Sequence, residues 1–340
     1  MSLKDCRLKI LNSMLDLIWS QWTTIGVSGD APITKTWIID PEALILFTCR
    51  IGRYDPRVFD AMLEWLGVHQ RFINVQRLKT LNRRKELSGG RLLAAIANLL
   101  LKPSSRSKWN RLADQLLEGE VQQEPLFYLK DGRPHPHPNK LDPDFEKAGF
   151  SRQKYRDRNA IVGFRPECPS NLILKLRALL GTNSRCEIVA YLATHSEGNP
   201  SEIASAVGYS QKAVYNAVTD LYQSGTLSRR KKGKETLYSL KHDDWSSILS
   251  LGQPVQWMDW REAYSFLNSV WIILDNPALK GESDEAISPE LRLVIARALP
   301  DLSGSLRAHL EGCTPKRGTH RESLAGVCNC IREMTLKLKE

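Results

Sequence analysis

CEIVAYLATHS (186–196), NPSEIASAVGYSQKAVYNAVTDLYQSG (199–225) and TLSRRKKGKETLYSL (226–240) follow one another almost without a gap and read as three helices and then a basic hairpin. In the first helix Ile188, Val189 and Leu192 recur at helical spacing until Ser196-Glu197-Gly198 breaks the pattern. The second is short and well capped. Asn199 stands where an N-cap oxygen is wanted, Pro200 takes the first helical position, where no N–H is missed, and Glu202 falls at the capping-box position. Gly208 ends this helix after Val207. Gly208-Tyr209 is a turn short enough to set the next helix at a steep angle, and Ser210 caps that helix.

The third helix, 210–224, puts Ala213, Val214, Ala217, Val218 and Leu221 on one face. Gln211, Lys212, Tyr215, Asn216 and Thr219 remain on the other. Amide and hydroxyl groups there suit base edges, and Lys212 suits either a guanine or a phosphate. Gly225 stops the helix. Leu227-Ser228-Arg229 and Thr236-Leu237-Tyr238 then read as two short strands around a turn containing Gly233. Arg229, Arg230, Lys231, Lys232 and Lys234 place five positive charges within six residues of that hairpin. An isolated basic run is usually solvated surface. Here it occupies the wing of a complete winged helix-turn-helix, where a strip of cations lies along a phosphate backbone. The expected partner is double-stranded DNA, with helix 210–224 (Ser210, Gln211, Lys212, Tyr215, Asn216, Thr219) in the major groove and wing 227–240 on the backbone. A winged-helix fold used only for protein contacts is the competing reading.

The stretch SEIASAVGYSQKAVYNAVTDLYQSGTL resembles the winged-helix domains of bacterial transcription regulators of the MarR and ArsR type, over about sixty residues. The resemblance implies promoter recognition by the helix, with Gln211, Lys212, Tyr215 and Asn216 at the matching recognition positions, and backbone binding by the wing. It also implies repression rather than activation. WIIDPEALILFTCRIGRYDPRVFDAMLEWL and LILKLRALLGTNSRCEIVAYLATH are similar to a further bacterial group of helix-turn-helix proteins, some of which resemble antitoxin-like regulators associated with nucleotidyltransferases.

At 340 residues the chain exceeds one winged helix several-fold, and 42 % hydrophobic residues suffice for real cores. The expected fold is mainly α, with helical N- and C-terminal regions around the winged helix. The regions are a helical part at 1–125, with a second helix-turn-helix as an alternative within it, an ordered linker at 126–170, the winged helix at 171–248 and an acidic helical part at 249–340. A net charge of +10 suits a polyanionic partner. The charge is polarised. From Arg71 to Lys108 ten Lys or Arg face one acid, Glu86, whereas from 242 to 311 five basic residues face eleven acids. The acidic C-terminal part is therefore expected to serve dimerisation, partner binding or effector sensing.

Asp40-Pro41-Glu42 and Asp55-Pro56 each pair an N-cap acid with a proline at the first helical position, with Gly52 and Gly67 marking the ends. A third helix from Asn74 turns Val75, Leu78 and Leu81 inward. Gln76, Arg77, Lys79, Arg83 and Arg84 then lie more exposed, so Arg77, Lys79, Arg83 and Arg84 make a second candidate nucleic-acid surface, against a basic helix that merely bounds a bundle. RLLAAIANLLLK (91–102) is too short to cross a bilayer and reads as core or dimer interface. The linker carries Phe127, Tyr128, Phe145, Phe150, Tyr155 and Phe164, too many aromatics for an inert connection. Trp257, Trp260, Tyr264, Leu267 and Trp271 form a stripe expected to pack as core or dimer seam, with an effector pocket as the alternative. Ser288-Pro289-Glu290 starts a further helix.

His135 and His137, alternating with prolines, read as an exposed loop rather than a metal site. The set Cys313, His320, Cys328 and Cys330 is the better zinc candidate but departs from paired CxxC spacing, so buried or incidental cysteines are expected, with zinc binding and redox sensing as the alternatives, and no metal and no cofactor are assigned. Seven scattered cysteines read as reduced thiols. No twenty-residue apolar run and no leader pattern is present, which predicts a cytoplasmic protein without membrane contact. No phosphate-cradling glycine loop, GxSxG, HExxH or paired metal-binding carboxylates mark an enzyme. The sequence thus reads as a homodimeric, sequence-specific transcription regulator. The alternatives are an antitoxin or adaptor that binds a partner protein through its C-terminal part, and an RNA-binding protein.

Overall fold

A computed structural model describes residues 2–84, 87–100, 108–116, 122–249, 254–279, 284–302, 304–313 and 324–340, and these are mainly helical. The N-terminal helices are α1 (Leu3–Thr24), α2 (Pro41–Ile51), α3 (Pro56–His69), α4 (Val75–Asn82), α5 (Gly90–Leu100) and α6 (Lys108–Leu116). A short parallel pair, β1 (Glu124–Pro125) and β2 (Phe150–Ser151), brackets the one-turn α7 (Pro143–Glu146). Next come α8 (Leu172–Leu180), α9 (Ser184–Thr194), α10 (Pro200–Val207) and α11 (Gln211–Gln223), then the antiparallel hairpin β3 (Leu227–Lys232) and β4 (Glu235–Leu240). The chain closes with α12 (His242–Trp245), α13 (Trp260–Leu274), α14 (Asp284–Ala298), α15 (Gly304–Cys313) and α16 (Leu324–Lys339).

The local signals at helix starts work as their chemistry requires. Asp40 accepts from Ala43 N at 3.1 Å, Asp55 from Arg57 N at 3.0 Å and Asn74 from Arg77 N at 3.1 Å, each satisfying a donor that has no partner within its helix. Gly67 is different. It lies inside α3 rather than at its end, on a face where a Cβ would meet nothing within 4 Å. A single glycine there costs only about 1 kcal/mol, which the buried apolar face of α3 overrides. The start expected at Ser288 is likewise corrected: α14 begins at Asp284 and carries Pro289 inside it. Burial of Ile287, Leu291 and Ile295 holds this helix across the one missing N–H.

Among the described residues two hydrophobic clusters organise the packing. The larger takes side chains from α1 to α6, from 126–150 and from α13 to α16, so the first and last regions of the sequence share one core. Patterning along the sequence separates those regions, but their apolar faces cover each other. Phe47 stacks on Tyr264 at 4.2 Å, and Trp260, Tyr264, Leu267 and Trp271 are all buried. The C-terminal aromatic stripe is therefore core. Phe145 and Phe150 are buried in the same cluster, with Phe127, Tyr128, Tyr155 and Phe164 packed against it. The smaller cluster belongs to α8–α11 and the hairpin, with Trp245 and Ile38.

The chain ends meet. Helix α1 packs along α16, Trp37 donates to Lys337 O at 3.0 Å, and the amides of Lys35 and Thr36 donate to Glu340 O. Cys6 and Cys328 are joined by a disulfide with Cα atoms 5.9 Å apart, which corrects the expectation of reduced thiols for this pair. Their separation of 322 residues hides the pairing from any spacing rule, whereas the packing of two helices brings them within bridging reach. Cys49 and Cys186 carry free thiols, both buried and pushed up by that burial to about 12. Among the described residues no helix is long and apolar enough to cross a membrane.

Candidate nucleic-acid interface

Helices α9, α10 and α11 pack on one another around Ile188, Val189, Leu192, Ile203, Val207, Val214, Val218 and Leu221. The capping box at the start of α10 is complete: Asn199 Oδ1 accepts from Glu202 N at 2.9 Å, and Asn199 N donates back to Glu202 Oε2 at 3.1 Å. Gly208 closes α10 in the left-handed region (φ +75°). Ser210 Oγ then accepts from Ala213 N at 3.3 Å and starts α11. Because α11 buries Val214, Ala217, Val218 and Leu221, its opposite face presents Gln211, Lys212, Tyr215 and Asn216 to solvent, with Thr219 half-buried. Tyr215 is 56 % exposed, on the same face as Gln211, Lys212 and Asn216.

Hairpin β3–β4 extends from the same small core. Lys232 pairs with Glu235, leaving Gly233 and Lys234 as a two-residue turn with Gly233 at φ +62°. Tyr238 and Gly198 exchange both backbone hydrogen bonds at 2.9 Å, so the residue before the Asn199 cap of α10 anchors the hairpin from the side. Arg229, Arg230, Lys231, Lys232 and Lys234 are all exposed. Arg229 lies over the ring of Tyr222, 4.4 Å from its centroid, which ties the end of α11 to the first strand. Arg230 holds Glu197 through Nε at 2.6 Å. Lys212, Lys231, Lys232 and Lys234 have no carboxylate partner among the described residues, so their charge is available to an incoming anion.

A buried charge network fixes this unit to the rest of the molecule. Arg177 on α8 reaches Glu187 on α9 (Nε to Oε1, 2.9 Å) and both oxygens of Glu42 on α2 (2.7 and 2.8 Å). Arg77 on α4 holds Asp40 at 2.5 Å, Glu42 at 2.8 Å and the carbonyl of Val207 at 3.1 Å. The Arg77 pairing outweighs the burial of Asp40 and holds its carboxyl down at about 2. Tyr209, in the turn, donates to Glu187 Oε2 at 3.2 Å and accepts from Asn74 Nδ2 at 2.8 Å. Arg261 on α13 donates to the carbonyls of Ser205 and Ala206. The last carbonyls of α10 are thus met by two guanidinium groups from outside the unit, the favourable sign at a helix C-terminus.

This geometry corrects the second candidate surface. Arg77 is 3 % exposed and fully engaged, so it is a joint and not a nucleic-acid contact. Arg84 pairs with Glu262 at 2.5 Å. Only Arg83, exposed, and Lys79, half-buried, face outward without a carboxylate among the described residues. The residues that sequence reasoning missed are Arg177, Glu187, Tyr209 and Arg261. Gly208 carried the one local hint. A Cβ there would stand 2.8 Å from Arg261 Nη1, on a left-handed backbone. Gly208→Ala is expected to cost about 1–2 kcal/mol from the backbone conformation alone. Denaturant unfolding would measure it, and an unchanged midpoint would show that the turn relaxes freely.

Of the zinc candidates, Cys328 is committed to Cys6, while His320 and the Cys313 side chain lie outside the described residues. His137 Nδ1 sits 3.1 Å from the Pro138 carbonyl, and His135 stands edge-on to Phe127. Among the described residues no three His, Cys, Asp or Glu side chains are grouped as for a metal. Compared with family models, with curated proteins and with solved structures, the chain gives no match in any of the three.

Proposed function

We propose that residues 171–248 act as a winged helix-turn-helix that binds duplex DNA in a sequence-specific manner and that the protein is a transcription regulator, acting as a homodimer on paired half-sites. The observation that carries this reading is the pairing of a capped helix with a solvent-facing polar stripe, Gln211, Lys212, Tyr215 and Asn216, with a hairpin of five exposed cations. In this reading Gln211 and Asn216 offer the donor and acceptor pairs that match adenine edges, Lys212 takes a guanine or a phosphate, and the hairpin holds the backbone. Repression is the proposed mode, since a protein seated on a promoter excludes polymerase without any further contact. The acidic C-terminal part bears no role at the DNA in this account, because its aromatic residues are already committed to the core.

Selection of bound fragments from random duplex DNA tests the proposal. Enrichment of a palindromic site is the expected result. Failure to enrich any sequence, or preference for folded RNA over duplex, would overturn it. Gln211→Ala and Asn216→Ala are each expected to reduce preference for the selected site by about 1–3 kcal/mol while leaving binding to random DNA unchanged. Competition assays with the selected and scrambled duplexes read that difference, and equal losses on both would remove α11 from the groove.

A further inference from the structure

A cleft of about 830 Å³ lies between the first turns of α3, the His-Pro run at 135–140 and the segment 151–158. Its walls are pinned by backbone hydrogen bonds. His135 N donates to Phe127 O at 3.0 Å and Asp142 N to Arg152 O at 3.0 Å. Arg152 lies at its base with a side chain only 3 % exposed, its guanidinium caged by Phe127, Phe145 and Tyr155 at 4.9–5.8 Å. One carboxylate, Asp60, meets Nη2 at 2.8 Å. Among the described residues Nη1 has no hydrogen-bond partner. The guanidinium is closed off from solvent beside Asp60, so it lends the cleft its charge rather than a free donor.

The charge around it points to the kind of acceptor. Lys140, Lys154, Arg156 and Arg158 line the same cleft, against Asp157, which accepts from Asn159 N at 2.9 Å in its own loop. Five cations with two acids make a field that attracts a multiply charged anion, and guanidinium forks suit phosphate oxygens. The lining also includes the rings of His135, Pro136 and Pro138. The volume lies within the range of small-ligand pockets.

We propose that this cleft binds a nucleoside polyphosphate, its phosphates on Lys154, Arg156 and Arg158 with the buried charge of Arg152 behind them, and its base against the His-Pro wall. The site is separate from α11 and the hairpin and does not depend on the DNA reading. Calorimetric titration of the full chain with ATP is expected to show saturable binding at one site, and inorganic triphosphate is expected to bind more weakly because it lacks the base. Lys154→Ala with Arg156→Ala, both at exposed positions, is expected to weaken ATP at least about tenfold. The variant Arg229→Ala, Arg230→Ala, Lys232→Ala is expected to bind ATP as the parent does, which separates this cleft from the basic hairpin. Absence of saturable binding at millimolar ATP, full retention by the Lys154/Arg156 variant, or loss in the hairpin variant would each overturn the proposal. So would triphosphate binding as tightly as ATP, or a single-stranded oligonucleotide displacing ATP with higher affinity, since the cleft would then serve a bare polyanion or a nucleic-acid strand.

Discussion

Arg177→Met is expected to lower the free energy of unfolding by about 3–5 kcal/mol, the cost of removing one partner from a buried ion pair and leaving the other behind. Met keeps much of the length and apolar stem of the arginine, so the loss reports charge rather than volume. Without Arg177, Glu187 would keep only the Tyr209 hydroxyl at 3.2 Å, and Glu42 only Arg77 and its backbone contact at Asn74. Neither carboxylate is exposed to water. The carbonyl of Phe72, now 2.5 Å from Arg177 Nη1, would lose its donor as well. Urea unfolding at neutral pH measures the effect, and Arg177→Met with Glu187→Gln is expected to recover part of it because both charges leave together. The contrast is Arg185→Ala, which breaks a pair with Asp220 whose side chains are 42 % and 54 % exposed. There the expected loss is about 0–1 kcal/mol. A loss below about 1 kcal/mol for Arg177→Met would show that the network does not hold the helix unit in place.

The parts of this molecule that sequence makes legible are those whose physics is local. Asn199, Pro200 and Glu202 act within one turn of helix, and the capping box they spell is the one that forms. Gly208 and Gly233 stand where only a left-handed backbone closes the turn, and Ser210 supplies the next cap. The exposed face of α11 follows from the spacing of Val214, Ala217, Val218 and Leu221, since the residues between them have nowhere else to point.

What sequence does not show depends on contacts made far along the chain. Arg77 sits among Gln76, Lys79, Arg83 and Arg84, and composition alone makes it one more surface cation. Its burial is decided by Asp40 and Glu42, 37 and 35 residues earlier, and by Val207, 130 residues later. Arg261 and Arg177 are hidden for the same reason: each satisfies groups on an element remote from its own. The acids Asp40 and Glu42 carry a second meaning beneath the first. Asp40 caps α2 and also holds Arg77, while both oxygens of Glu42 receive Arg177 of the helix unit. Polar residues placed at helix ends thus raise two questions, which local donor they satisfy and which remote cation they leave room for.

Replacing Arg229, Arg230 and Lys232 together by Ala is expected to weaken binding to all duplexes by about two orders of magnitude near 0.15 M salt. For every phosphate that the protein no longer neutralises, the slope of log K against log salt flattens by about 0.9, and one such neutralised phosphate is then worth roughly fivefold at that concentration. All three side chains are exposed, so the fold should be kept. They differ in what they give up. Arg229 trades only a stack on Tyr222, whereas Arg230 must share or leave Glu197 before it meets a phosphate. The Arg230 contribution is therefore expected to be the smallest, since its charge is already half answered in the free protein. Because backbone contacts carry no base information, the ratio of selected to scrambled duplex should stay near its parent value while both affinities fall. Titrations at two salt concentrations separate the outcomes. An unchanged affinity and slope would take the hairpin off the DNA, and a loss confined to the selected site would mean that it reads bases rather than phosphates.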